Sequence, residues 1–104
     1  MRETRRLEDL VSVGPATVAD FERLGIRTVN ELARRRPEKL YEMLSEATGQ
    51  RQDICCLDVF RAAVAQARNP KLPAAQRKWW YWSRLRKKAG IRSRGLGTKI
   101  EIRP

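Results

Sequence analysis

The chain has 104 residues, 41% of them hydrophobic, with 23 Lys/Arg against 12 Asp/Glu, no histidine and a formal charge of +11. That length suits one modest domain rather than two. With no histidine and only the adjacent pair Cys55 and Cys56 as thiols, the commonest general base and a structural zinc site are excluded, and neighbours on a helix do not form an ordinary disulfide.

The opening "MRETRRLEDL" has no apolar signal core, and no apolar run approaches the length of a membrane span. The expected location is cytoplasmic, with no membrane partner. Leu7, Leu10 and Val11 stand at helical spacing and predict a first helix of about two turns that ends near Ser12. Pro15 fits the first position of the next helix, where its fixed φ suits and its missing N–H is not needed. Val18, Phe21 and Leu24 give that helix one apolar face, and Gly25 supplies a left-handed stop. Thr28 and Glu31 have capping-box spacing, so Thr28 caps a third helix with Val29, Leu32 and Ala33 inward. Pro37 starts a fourth, with Leu40, Leu44 and Ala47 on one side and Gly49 at its end.

The stretch "DICCLDVFRAAVAQA" (53–67) is apolar nearly all round, broken only by Asp58, Arg61 and Gln66, and reads as a central buried helix capped by Asp53. Asn69-Pro70 ends it. Pro73 opens a last helix, "PAAQRKWWYWSRLRKKAG", closed at Gly90. In "IRSRGLGTKIEIRP", Thr98, Ile100 and Ile102 alternate, but a lone strand has nothing to pair with. Residues 91–104 therefore read as a flexible basic extension, or as an edge strand pairing with a second copy. The expected architecture is an all-α bundle of five to six short helices over 1–90, followed by that extension.

Charge is uneven. Residues 77–104 carry ten Lys/Arg against one acid, Glu101, while 1–76 carry thirteen against eleven. Such asymmetry points to a polyanion, nucleic acid before membrane, with a solubilising tail as the plainer alternative.

Val13-Gly14-Pro15 concentrates the functional signal. Gly14 can take unusual backbone angles and lets another molecule approach the main chain. A helix starts directly after it, and its first amides have no internal partner while the helix dipole is positive there. Such a turn is a natural phosphate cradle. The small Ala16 and Thr17 keep the approach open, and the amides of Gly14, Ala16 and Thr17 are the donors.

"LEDLVSVGPATVADFERLGIRTVNEL" resembles a helix-hairpin-helix motif, with Val13-Gly14-Pro15 at the hairpin, Ala19 at the small contact between helices and Leu24-Gly25-Ile26 at the exit. "RTVNELARRRPEKLYEML", "DICCLDVFRAAV" and "RKWWYW" resemble the small bacterial pathogenicity-locus family, whose signature Lys-Trp-Trp-x-Trp is matched by Lys78, Trp79, Trp80 and Trp82. The resemblance implies DNA binding through the hairpin, not a known reaction. The basic stretch after Ser83 is not part of that pattern. Helix-hairpin-helix motifs contact the DNA backbone, which implies little sequence preference and a steep salt dependence.

Each feature has a plainer reading. Helix-hairpin-helix units also dock proteins, and the charges near the hairpin are mixed: Arg5, Arg6, Arg23 and Arg27 against Glu8, Asp9, Asp20 and Glu22. Trp79 and Trp82, one turn apart, read as core cover, which leaves Trp80 on another side. Arg84, Arg86, Lys87 and Lys88 form the strongest basic run. Arg34-Arg35-Arg36 reads as a helix-end cap. Cys55 and Cys56 read as core residues, and Asp58 and Arg61 as an ion pair within their helix.

The expected function is that of a non-enzymatic DNA-binding protein without a cofactor. Its contacts are Val13, Gly14, Pro15, Ala16, Thr17, Lys78, Arg84, Arg86, Lys87 and Lys88. The alternative is a protein–protein adaptor, with a protein partner or a second copy docked on the core.

Overall fold

A computed structural model describes residues 3–97, with side chains to residue 89. Every regular element among them is helical: α1 (Pro15–Arg23), α2 (Val29–Ala33), α3 (Pro37–Thr48), α4 (Ile54–Arg68) and α5 (Trp79–Gly97), with 3-10 turns at Leu7–Asp9 and Ala74–Arg77. The expected all-α bundle is what the chain forms.

The first segment departs from expectation. It is one 3-10 turn rather than two α-helical turns, with i→i+3 bonds: the amides of Asp9, Leu10 and Val13 donate to the carbonyls of Arg6, Leu7 and Leu10. Leu10 is extended (φ −77°, ψ 138°), so the 3-10 winding ends there and the Val13 bond closes a separate turn; the residues facing inward are Leu7, Leu10 and Val13. All three are buried, while Val11 is exposed. The reversal into α1 is made at Ser12, whose φ of 72° is left-handed. A non-glycine residue reaches that region only at some cost, so other contacts must hold it there.

Local signals set α1 to α3. Pro15 and Pro37 each take a first helical position. Thr28 and Glu31 form the full capping box, with the Glu31 amide donating to Thr28 Oγ1 at 3.1 Å. Gly25 and Gly49 end helices in the left-handed region, at φ 83° and 73°. Within these helices two small residues face the other way from expectation. Ala19 and Ala47 are exposed, and Tyr41 is the residue that joins Leu40 and Leu44 in the interior.

α4 is the centre, as its composition predicts, and α2, α3 and α5 all pack on it. Phe60 is fully buried and meets Phe21 of α1, ring centroids 5.3 Å apart. Burying each such ring contributes on the order of 2 kcal/mol. Two of the polar residues of α4, Asp58 and Gln66, are also interior.

The last helix is interrupted. Ala74–Arg77 is a 3-10 turn, Lys78 is extended (φ −93°, ψ 134°), and α5 starts at Trp79. It runs through Gly90 to Gly97, so the stop expected at Gly90 is absent. A glycine permits a helix end but does not impose one. The alternating Thr98, Ile100 and Ile102 lie outside the described residues.

Candidate nucleic-acid interface

Gly14 is the N-cap of α1, with φ −99° and ψ −177°. That is ordinary extended backbone, so the expectation that Gly14 takes angles closed to other residues is corrected: Ser12 carries the left-handed turn. Nor does packing require glycine, since a Cβ added at Gly14 would meet nothing within 4 Å. What the glycine does is leave the helix uncapped. A Ser, Asp or Asn here would accept from the second or third helical amide, whereas Gly14 makes no side-chain cap. Among the described residues, the amides of Gly14, Ala16 and Thr17 have no acceptor in the chain, and the first bond of α1 is Val18 N to Gly14 O at 3.0 Å. Pro15 and Ala16 are exposed and Thr17 is half-buried. Val13 is buried, so its side chain is a foot in the core and not a contact.

The turn is fastened to the start of α5. The Ser12 hydroxyl accepts from the Trp79 amide at 3.0 Å and donates to the Arg77 carbonyl at 3.3 Å. Gln66 of α4 ties the same two segments together. Its Oε1 accepts from Val11 N at 2.9 Å, and its Nε2 donates to Val11 O at 2.8 Å and Arg77 O at 3.3 Å. These bonds hold Ser12 in its left-handed conformation. They also place the Lys78-Trp79-Trp80 segment beside the uncapped end of α1, two regions separated by more than sixty residues in sequence. In the sequence Ser12 stood only as a helix end and Gln66 only as one of three breaks in an apolar helix; neither showed the partner it takes.

α5 has two faces. Trp79, Trp82, Ser83 and Arg86 point inward and are half-buried or buried. Trp82 Nε1 donates to Gln76 O at 2.8 Å. Trp80, Arg84, Lys87 and Lys88 are exposed. At 100° per residue they fall within roughly a 100° arc. Lys78 is exposed as well, its Nζ 5.4 Å from the centroid of the Trp80 ring. Trp79 and Trp82 thus cover the bundle as expected, and Trp80 faces out.

Arg86 is corrected. Its guanidinium grips Asp58 with Nε and Nη2, each 3.0 Å from a carboxylate oxygen. Asp58 is 0% exposed. The hydrogen bonds and charge of that carboxylate raise the Arg86 pKa further, so the arginine stays a cation and is committed to the interior. The expected Asp58–Arg61 pair is likewise absent, because Arg61 pairs with Glu38 of α3 at 3.1 Å. Arg68, rather than the Arg34-Arg35-Arg36 run, closes the end of α2, donating to Ala33 O at 2.9 Å and Arg35 O at 2.8 Å.

Cys55 and Cys56 are both free and half-buried. Burial above all, helped by the Asp20 and Asp53 charges, pushes the Cys56 thiol up to about 11. Burial also raises Cys55, with a hydrogen bond to Asp53 adding to it. Neither has the depressed pKa of a nucleophile. No helix among the described residues is long and apolar enough to cross a membrane.

The family model Cdd1, described as pathogenicity locus, matches residues 1–88. That stretch holds the uncapped turn, α1 to α4 and the Lys78–Trp82 signature. The "Mitomycin resistance protein McrB" of Streptomyces lavendulae is 45% identical over 82 residues, covering 79% of this chain and 74% of that protein. No solved structure matches significantly.

Proposed function

The chain belongs to the pathogenicity locus family, and from that premise and the geometry above we propose that it is a non-enzymatic DNA-binding protein. It holds the phosphate backbone with little sequence preference. The turn at Gly14 acts as the hairpin of a helix-hairpin-helix motif. Its amides donate to a phosphate oxygen at the positive end of α1, and Lys78, Arg84, Lys87 and Lys88 neutralise phosphates alongside.

One observation carries the reading. The bond from Trp79 N to Ser12 Oγ joins the segment of the three unpartnered amides to the start of α5, where Lys78, Arg84, Lys87 and Lys88 are exposed and no acid lies between Lys78 and Ala89. A merely solvated helix end does not require an open N-cap beside it.

Fluorescence anisotropy with labelled duplex, single-stranded and branched DNA, titrated with salt, tests the reading. Binding with a steep salt dependence is expected, weakened about tenfold by Gly14→Glu, which puts a carboxylate where the phosphate sits. Absence of binding even at low ionic strength overturns it. Binding that survives Gly14→Glu unchanged favours the adaptor reading, in which the core docks a protein. The relative named for mitomycin resistance adds a cellular readout: loss of this protein should lower mitomycin tolerance, and Gly14→Glu should fail to restore it.

A further inference from the structure

Trp80 is the most exposed of the large apolar side chains among the described residues, at 46%. Its neighbours Trp79 and Trp82 are half-buried against the bundle. Trp80 lies where α5 meets the Gly14 turn, at the head of the stripe that continues through Arg84, Lys87 and Lys88. Lys78 sits over its ring at 5.4 Å, and Trp79 approaches it edge-on, the planes at 83° and the centroids 6.0 Å apart. The cation–π contact is weak at an exposed site, so Lys78 is free to turn to a phosphate. The half-buried Trp79 supports one side of the ring.

A flat indole held at the head of a cationic track is the pairing that binds unpaired nucleotides: the charges follow the backbone and the ring stacks on a base. A continuous duplex offers no base face, since every base is already stacked. We infer that Trp80 is a base-stacking platform, and that the preferred substrate is DNA with an unpaired nucleotide at the edge of a duplex. The inference rests on the proposed DNA binding and deepens it. The Gly14 amides hold the backbone of the duplex, and Trp80 receives the first base beyond it.

The test compares a blunt duplex with the same duplex carrying a short single-stranded overhang, with 2-aminopurine as the first unpaired base. The wild-type protein should bind the overhang DNA about tenfold more tightly and should change the 2-aminopurine fluorescence. Trp80→Ala should bring the ratio of the two affinities to about one and abolish the fluorescence change, while Trp80→Phe, which keeps a ring, should retain most of both. Equal affinity for the two DNAs, or a preference that survives Trp80→Ala, overturns the stacking role and leaves backbone binding standing. Failure to bind either DNA at low salt overturns both.

Discussion

Arg86 of α5 and Asp58 of α4 form a two-pronged ion pair in which the carboxylate has no exposure at all, with Arg86 Nη2 also within 3.4 Å of Ser83 Oγ. The pair ties the aromatic-to-basic helix to the centre of the bundle. It also sorts the basic run, turning Arg86 inward while Arg84, Lys87 and Lys88 stay outside.

Removing one partner strands the other charge in the interior. Arg86→Ala should destabilise the fold by about 3 kcal/mol, whereas Asp58→Leu combined with Arg86→Met, which removes both charges and keeps the volume, should lose far less. Urea midpoints of the two variants decide. A double variant as unstable as the single one would mean that the pair's own attraction, not desolvation, dominates.

If the chain binds DNA as proposed, the same sorting should appear in the salt dependence. Each phosphate neutralised contributes about −0.9 to the slope of log affinity against log salt. Replacing Lys87 and Lys88 by Gln should therefore flatten the slope by about 2. The double variant at Asp58 and Arg86 should leave it where it was, and a flattening there would put Arg86 back on the DNA.

Gly14 sets stability against binding. Its φ of −99° suits any residue, and there is space for a side chain. Gly14→Asp should cap Ala16 or Thr17 and stabilise the protein by about a few tenths of a kcal/mol. On the proposed function the same carboxylate would occupy the amides that take the phosphate and would repel the DNA backbone. Thermal unfolding should rise while DNA affinity falls; a rise in both would remove the turn from the interface.

Cys56 supplies a pH dependence. Its thiol titrates near 11 in the folded protein against 9.0 for an unburied cysteine. The folded state keeps the proton longer, so the stability it contributes is complete below pH 9 and falls as pH rises toward 11. In a Cys55→Ser background, alkylation at pH 8 should be about 100-fold slower in the folded protein than in urea. Comparable rates would mean that the thiol is not desolvated as the fold places it.

Local chemistry made much of this legible. Proline at the first position, the Thr28–Glu31 box and the left-handed glycines each act within a few residues; α1 and α3 begin and end where they dictate, and α2 begins there. The first helix failed because Leu7, Leu10 and Val11 fit an α-helical spacing, while Leu7, Leu10 and Val13 are the residues that turn inward. The bonds that tie Val11 to Gln66 and Ser12 to Arg77, both far along the chain, hold that second arrangement. Partner choice failed likewise. Arg61 stands three residues from Asp58, yet reaches α3 instead, and the true partner of Asp58 is twenty-eight residues away.

By itself the sequence determined that the chain is helical, that 53–67 lies at its centre and that its positive charge gathers toward the end. These follow from spacing and composition, which act locally. Tertiary structure alone decided that the uncapped turn and the Lys78–Trp80 segment share one edge, that Trp80 looks outward and that Arg86 does not. Those outcomes depend on which buried polar groups find each other. A buried carboxylate or amide must be satisfied by whatever the fold brings near, and no spacing along the chain encodes that neighbour.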